Sequence, residues 1–336
     1  MRAGLKPARP PLSGTTPLCE RPSALKHRPT NPFQGVIIAA LTPRRRNETS
    51  IDLAATLELV DYLGRTGASA IALLGSTGEF VHFALDDRRH MTSFAVKRSR
   101  VPLLVNVSHS TLDGAVELAR EAEDSGAAGV LLMPPYYFRY TQEAVRQFYL
   151  DFAREMRGLL PIYLYNIPAF TTAIEVSTAL GLFETGLFAG IKDSSGSWDG
   201  FAQLRDRSAR DGFSVLVGDD RLFARARREG ANGVVSGIAS AVPELVLAIE
   251  HAVASADNER IEALDARLSE FADWISRFPA PMGIREAARQ RKLNVGVPAI
   301  APGEQEARHL DEFAAWFRPW LAAVQLECAG PEKAKR

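Results

Sequence analysis

The sequence predicts an α/β fold, a closed (β/α)8 barrel (TIM barrel) followed by a C-terminal helical region. Eight short apolar runs recur from residue 36 onward, and amphipathic segments separate them. The runs are rich in Val, Ile and Leu without strict alternation, which is typical of parallel strands covered on both faces. Eight strand–helix units in roughly 220 residues match the usual size of such a barrel. The predicted strands cover residues 36–41, 70–74, 102–107, 129–133, 161–166, 188–192, 214–218 and 233–236.

The segments between the runs have the spacing of amphipathic helices. After Thr111, four apolar residues fall at positions i, i+3, i+4 and i+7, which share one helical face. They are Leu112, Ala115, Val116 and Ala119. Glycines follow many of these segments, because the residue after a helix often needs a positive φ that glycine adopts at low cost. These glycines are Gly64, Gly67, Gly126, Gly230 and Gly233.

An open, doubly wound sheet is the alternative arrangement of the same elements. It would require a glycine-rich phosphate-binding turn after the first strand. The chain instead has Thr-Pro-Arg-Arg-Arg at 42–46. This turn argues against a dinucleotide site and favours the closed barrel.

The strand pattern divides the chain into four parts. Residues 1–32 contain seven prolines, one acid and no apolar core segment, so we predict a disordered N-terminal extension. The catalytic barrel is predicted at 33–255, a helical region at 256–325 and a tail at 326–336. Within the helical region, helices are predicted at 258–275, 282–292 and 304–321, and Pro319 is expected to bend or end the last of them.

Composition argues against several functional classes. Forty basic and forty acidic side chains give a net charge of +0, without the basic excess typical of nucleic-acid or membrane-surface binding. No apolar run reaches the ~18 residues of a transmembrane helix. Cys19 and Cys328 have no Cys or His at metal-ligand spacing, so neither a zinc site nor a disulfide scaffold is expected. Two such thiols suit a reducing, cytoplasmic location.

Two predicted strands end in loops suited to binding a small acid. Barrel enzymes place their active sites at the C-terminal ends of the strands. The second strand is followed by Gly-Ser-Thr-Gly-Glu, in which Ser76, Thr77 and backbone N–H groups can bind an anion such as a carboxylate. An ordinary glycine-rich turn is the alternative. The fourth strand is followed by Pro-Pro-Tyr-Tyr, a rigid loop ending at Tyr137. An interface patch is the alternative for this loop, and it is compatible with a catalytic role.

The fifth and sixth predicted strands end in a tyrosine and a lysine. Lysine is rarely buried, so Lys192 in Gly-Ile-Lys-Asp is unusual at the end of a barrel strand. Desolvation disfavours its ammonium form, and the neutral amine can attack a carbonyl to form a Schiff base. A structural ion pair with Asp193 is the alternative. Tyr165, in Tyr-Asn-Ile-Pro, either reaches the substrate or is an ordinary buried tyrosine.

Together, and in this order, the four motifs resemble those of the dihydrodipicolinate synthase / N-acetylneuraminate lyase family of class I aldolases, over about 33–321. The resemblance implies a carbon–carbon or carbon–oxygen lyase, an aldolase or dehydratase acting on pyruvate or a 2-oxo acid such as a 2-keto-3-deoxy sugar acid. It implies an imine at Lys192 and proton transfer by Tyr165. Ser76 and Thr77 would hold the carboxylate, and Thr77 would also belong to the proton relay.

The resemblance also implies the surroundings of the site. Tyr137 matches a tyrosine that enters the site of the partner subunit, in a homotetramer built as a dimer of dimers. Gly218 and Val235 match positions that line the pyruvate pocket through backbone groups. The partners implied are a small 2-oxo acid and an aldehyde, with no metal or organic cofactor and with neither nucleic acid nor membrane.

Phe170 departs from the pattern of the synthases. They have an arginine at this position, which binds the carboxylate of their second substrate, and an apolar ring cannot make that contact. We therefore expect Phe170 to contact a more apolar or sugar-like aldehyde portion, and do not expect a true dihydrodipicolinate synthase.

Two other functional classes stay open. A non-catalytic relative that binds or senses a 2-oxo acid would keep the barrel, but binding alone does not require Lys192, Tyr165, Thr77 and Tyr137 together. A phosphate or flavin barrel would need a glycine-rich phosphate cradle after the seventh and eighth strands. His109, at the end of the third strand, is expected to hydrogen-bond local partners.

Overall fold

A computed structural model describes residues 33–46, 48, 50–158 and 160–329 of the chain. Within them, eight strands form a closed barrel in which each strand is parallel to both neighbours and β8 pairs with β1. The predicted fold class is confirmed, whereas the extension predicted at 1–32 lies outside the described residues. The strands are β1 Gly35–Ala39, β2 Ala70–Leu73, β3 Leu103–Asn106, β4 Gly129–Leu132, β5 Ile162–Asn166, β6 Gly190–Asp193, β7 Ser214–Val217 and β8 Gly233–Ser236.

Eight helices connect or follow the strands and cover the outside of the barrel. The residue that precedes a helix explains where several of these helices begin. An Asp, Ser or Thr side chain at that position accepts a hydrogen bond from a free backbone N–H in the first turn. Asp52, Thr111, Thr141 and Ser197 bind the N–H three residues later in this way. The helices are α1 Leu53–Gly64, α2 Leu85–Arg98, α3 Leu112–Ser125, α4 Gln142–Met156, α5 Val176–Phe183, α6 Trp198–Asp211, α7 Phe223–Arg228 and α8 Pro243–Ala254.

Three further helices follow, α9 Asn258–Ile275, α10 Met282–Gln290 and α11 Glu304–Ala329. Helices α9 and α11 pack against α8, and α10 packs against α9 and α11. The prediction that the last helix ends near residue 321 is wrong, because α11 continues through Pro319. An interior proline costs about 3 kcal/mol, but buried side chains on both sides of it, from Phe313 to Val324, stabilise the continuous helix. Among the helices of the described residues, none is both long enough and apolar enough to cross a lipid bilayer.

Glycines allow the strands at the bottom of the barrel to approach one another. A Cβ atom added at Gly233 would lie 2.4 Å from the carbonyl oxygen of Gly35, the residue with which it pairs on β1. At Gly190 it would lie 2.4 Å from the carbonyl oxygen of Ser214. Both obstacles are strand backbone, which cannot move without opening the barrel.

We therefore expect Gly233→Ala to lower the free energy of unfolding by about 1–3 kcal/mol, the usual effect of overpacking. Gly181→Ala is the matched control, because no atom would lie within 4 Å of its new Cβ, and alanine favours a helix by up to about 1 kcal/mol. Urea unfolding at one fixed protein concentration measures both. Equal stability of the two variants would contradict this account of the barrel.

Candidate active site

Lys192 and Tyr165 are neighbours across the pairing of β5 with β6. The register places them directly opposite each other, so their side chains lie on the same face of the sheet. The Lys192 Nζ atom is 4.1 Å from the centre of the Tyr165 ring. Lys192 is only 5% exposed and Tyr165 only 1%. The two residues singled out from separate strand ends therefore meet in one buried site.

Asp193 does not serve as the ion-pair partner of Lys192. Its two carboxylate oxygens accept hydrogen bonds from the Asn166 side chain at 2.8 Å and from the Ser195 hydroxyl at 2.9 Å. Burial raises the pKa of Asp193, and the bonds from Ser195 and Asn166 partly oppose this effect. Within the described residues, no acidic side chain lies at ion-pair distance from Lys192. The amine is therefore available to a substrate.

The hydroxyl group that contacts Tyr165 belongs to Ser76. The Ser76 Oγ and Tyr165 Oη atoms are 3.0 Å apart. Thr77 instead faces the loop after β8, where its Oγ1 atom would lie 2.9 Å from a Cβ added at Gly237. Ser76, and not Thr77, therefore makes the hydrogen bond to the Tyr165 hydroxyl, and the place of Thr77 in a proton relay stays a prediction. The two residues are adjacent and both carry hydroxyls, so only the path of the loop distinguishes them.

Tyr137 lies in the loop after β4, at the same end of the barrel, and is largely exposed. Its side chain is 88% exposed and packs edge-on against Phe138, with ring centres 4.9 Å apart. Its φ of 86° is rare for a residue with a side chain, and such backbone conformations cluster at functional sites. Tyr137 and Ser76 both line a cavity of about 390 Å³. The entry of Tyr137 into the active site of a partner subunit stays a prediction.

Gly218 and Val235 both lie in the wall of the barrel. A Cβ added at Gly218 would lie 2.9 Å from the Lys192 Cε atom and 2.1 Å from the Ser194 hydroxyl, so a larger residue would require the Lys192 and Ser194 side chains to move. Val235 lies within β8, fully buried and in register with Ile37 of β1. Of these two residues, Gly218 is therefore the one that lies against the Lys192 side chain.

Asp220 is a half-buried residue that sequence reasoning missed. It follows β7, and the Ser236 hydroxyl and the Ile238 backbone N–H favour its charged form. Its Oδ1 atom has no hydrogen-bond partner among the described residues. Burial raises the pKa of Asp220 to about 6, although Ser236, Ile238 and the charge of Lys192 oppose the rise. The Asp-Asp pair after the seventh predicted strand was the available signal.

A second missed feature connects the C-terminal helices to the loop after β2. Arg285 of α10 forms a buried ion pair with Glu79, with side chains 6% and 12% exposed. The same guanidinium donates to the carbonyl oxygens of Thr42 and Val295. Glu79 has a φ of 51° and lies three residues after Ser76, so the ion pair fixes the end of the hydroxyl-bearing loop.

His109 hydrogen-bonds local partners, as expected. Its Nδ1 atom lies 2.9 Å from the Thr111 hydroxyl and accepts the Thr111 backbone N–H at 3.1 Å. Burial, together with the charge of Arg88, lowers the pKa of His109. The residue therefore belongs to the start of α3.

Comparison of the chain with models of protein families supports the resemblance of the four motifs. The dihydrodipicolinate synthetase family matches over residues 32–315. The chain belongs to this family. The matched region includes the whole barrel, α9 and α10, so the ion pair of Arg285 with Glu79 lies inside it.

Relatives from this family differ in their named reactions. A 4-hydroxy-tetrahydrodipicolinate synthase from Salinibacter ruber is 33% identical over 291 residues, which cover 78% of this chain and 94% of the relative. A 2-dehydro-3-deoxy-D-gluconate/2-dehydro-3-deoxy-phosphogluconate aldolase from Picrophilus torridus is 33% identical over 189 residues, covering 56% and 70%. The crystal structure of dihydrodipicolinate synthase from Aquifex aeolicus has a TM-score of 0.79 and 26% identity, covering 86% of this chain and 98% of that one. Family membership supports a lyase.

The buried ion pair makes the loop after β2 depend on α10. Arg285→Met would leave the Glu79 carboxylate buried without its partner, which typically costs about 3–5 kcal/mol. Arg120→Met is the control, because Arg120 pairs with Glu155 where both side chains are more than half exposed, and exposed pairs contribute about 0–1 kcal/mol. Urea unfolding followed by circular dichroism measures both variants. If Arg285→Met lowers the free energy of unfolding no more than Arg120→Met does, the ion pair does not stabilise the loop as described.

Asp220 should make stability depend on pH. Because its pKa is raised from 3.8 to about 6, the folded state binds the proton more tightly, and stability is lost as the pH rises through 6. A tenfold preference for the protonated form corresponds to about 1.4 kcal/mol. Asp220→Asn should therefore stabilise the protein by about 1–3 kcal/mol at pH 7.5 and by much less at pH 4.

Thermal unfolding at several pH values measures this difference. Asp206→Asn is the control, since the Asp206 side chain is 65% exposed and its variant should show no such trend. An Asp220→Asn effect that is the same at both pH values would contradict the interpretation.

Proposed function

We propose that the chain is a Schiff-base lyase, an aldolase or dehydratase, that acts on pyruvate or a 2-oxo acid such as a 2-keto-3-deoxy sugar acid. One observation carries the proposal. The Lys192 amine is buried at the end of the barrel, has no ion-pair partner within the described residues, and lies against Tyr165, whose hydroxyl is hydrogen-bonded to Ser76. A nucleophile next to a proton-transferring hydroxyl is the arrangement that imine formation requires.

The proposed reaction begins with attack of the Lys192 amine on the C2 carbonyl of the 2-oxo acid. The carbinolamine loses water, and Tyr165 supplies the proton that the departing oxygen needs. In the resulting protonated imine, a C3 proton or the C3–C4 bond can be lost, because the electron pair moves to nitrogen and gives an enamine. In the reverse direction, C3 of the enamine bonds to the aldehyde carbon, and the aldehyde oxygen takes a proton.

We assign the proton relay to Tyr165 and Ser76, and the carboxylate of the substrate to Thr77 and the backbone N–H groups of its loop. The hydrogen bond between the Ser76 and Tyr165 hydroxyls supports this division. Tyr137 of the partner subunit would complete the relay in a dimer that pairs into a tetramer. The exposed Tyr137 ring and its left-handed backbone support this assignment.

The proposal predicts that borohydride traps pyruvate on the enzyme. The full chain, incubated with pyruvate and sodium borohydride, should gain the mass of one reduced pyruvate adduct, and peptide mapping should place it on Lys192. Lys192→Ala should remove the adduct. Tyr165→Phe should retain the site but form the adduct about 10²–10⁴ times more slowly, the usual contribution of a positioned proton donor.

Lys292, exposed on the C-terminal side of α10, is an internal control in the same digest. A chain that stays unmodified, or that is modified equally at both lysines, would overturn the proposal. Adduct formation without turnover of any aldehyde or dehydration substrate would support the sensing relative instead.

A further inference from the structure

The cavity beside Ser76 has the right position for the second half of the substrate. Its volume is about 390 Å³, within the usual range for small-molecule sites. Ser76 forms part of its wall and binds the Tyr165 hydroxyl, so the cavity opens directly next to the proposed site of chemistry. The loops after β2, β4 and β5 enclose it. A group attached to C4 of the substrate would extend into this space.

Apolar side chains form most of that wall, and some of them are unusually exposed. Phe170 and Val81 each expose 55% of their surface in the described structure. Phe80 and Tyr136 pack edge-on behind them, with ring centres 5.7 Å apart. The aliphatic and aromatic lining residues are Phe80, Val81, Met133, Tyr136, Tyr137, Phe170 and Ala280. A ligand that covers Phe170 and Val81 would remove this apolar surface from water, which is favourable in proportion to the area buried.

The wall offers an anionic ligand little to bind. Its one acidic side chain, Glu79, is paired with Arg285. The nearby guanidinium of Arg139 donates to the carbonyl oxygens of Pro168 and Thr171, on either side of Phe170. The other ionisable side chains of the lining are His82, which is exposed, and the phenols of Tyr136 and Tyr137. The lining contains no arginine or lysine, so a carboxylate placed against Phe170 would lose hydration without direct contact with a cationic side chain of the wall.

Phe170 is also held in a defined position. Its backbone N–H donates to the Ile167 carbonyl oxygen at 3.0 Å, and the next residue, Thr171, forms a bridge with Tyr136 of the loop after β4. Arg139 fixes the same turn from the other side. The backbone that carries the Phe170 ring is therefore held in place and does not belong to a loose loop.

From these observations we propose that the aldehyde portion of the substrate is uncharged and apolar, aromatic or branched aliphatic, and that Phe170 determines this specificity. The inference rests on the proposed Schiff-base lyase and names its second substrate. It decides between the two classes that the sequence left open, because a sugar-like chain would place its hydroxyl groups against Phe170, Val81 and Met133. Two polar side chains of the wall are already engaged, because Ser76 is hydrogen-bonded to Tyr165 and Glu79 to Arg285.

The test measures aldol addition of pyruvate to four aldehydes by the full-length protein. Benzaldehyde and isobutyraldehyde represent the apolar class, succinic semialdehyde the carboxylate class, and D-glyceraldehyde the hydroxylated class. We expect kcat/KM for the better apolar aldehyde to exceed that for each polar aldehyde by at least about tenfold, the order of discrimination that an apolar pocket provides. A preference for either polar aldehyde would overturn the proposal.

Variants at residue 170 test the role of its ring. Phe170→Arg should raise kcat/KM for succinic semialdehyde and lower it for benzaldehyde, reversing the preference, because arginine can bind the carboxylate in a bidentate manner. Phe170→Ala should lower kcat/KM for benzaldehyde without raising kcat/KM for succinic semialdehyde. Phe94→Arg is the matched control, since Phe94 of α2 is 52% exposed and does not line the cavity. Unchanged selectivity in both residue-170 variants would overturn the assignment.

Borohydride trapping with pyruvate alone separates the two proposals, because it involves no aldehyde. An adduct on Lys192 combined with a polar preference would leave the Schiff-base function intact and reject the apolar acceptor. An adduct without turnover of any aldehyde would also reject it. Absence of the adduct would reject the function, and the acceptor assignment with it. Retained adduct formation in each variant would show that it is correctly folded.

Discussion

The site depends on the register of β5 against β6 inside a closed barrel. Because Tyr165 and Lys192 are paired positions, the backbone hydrogen bonds of the barrel themselves hold the hydroxyl-bearing ring against the amine. Closure matters as well, since it buries both side chains and brings Gly218 of the next strand end against the Lys192 chain. A slip of one residue would turn the lysine towards the surrounding helices.

The loop after β2 joins this rigid centre to the rest of the molecule. Ser76 bonds to Tyr165 at one end of the loop, and Glu79 bonds to Arg285 of α10 at the other. The C-terminal helices thus contribute to the site although they carry none of its proposed catalytic residues. Their packing around Phe313 and Phe317 on α11 stabilises the helical region that contains the arginine. Because the loop after β2 is held at both ends, other loops at this end of the barrel can vary without moving it.

The two sides of the proposed site differ in chemistry. Around Lys192 there are hydroxyl groups and the half-buried Asp220, whereas the mouth beside Phe170 is apolar. This contrast matches a substrate with a common 2-oxo acid end and a variable second part. Relatives named as synthases and as an aldolase match much of this chain, and loops held on a rigid barrel can change specificity without disturbing the strand register.

The sequence by itself determined the eight strands, their order and the presence of Lys192 and Tyr165 at strand ends, because apolar runs and strand-end motifs are local signals. It did not determine that α11 continues through Pro319, which depends on buried contacts on both sides. Nor could it choose between Ser76 and Thr77, or pair Arg285 with Glu79 across 206 residues. The partial burial of Asp220 was equally hidden. Those features depend on distances between distant parts of the chain, and only the closed barrel and its packed helices set such distances.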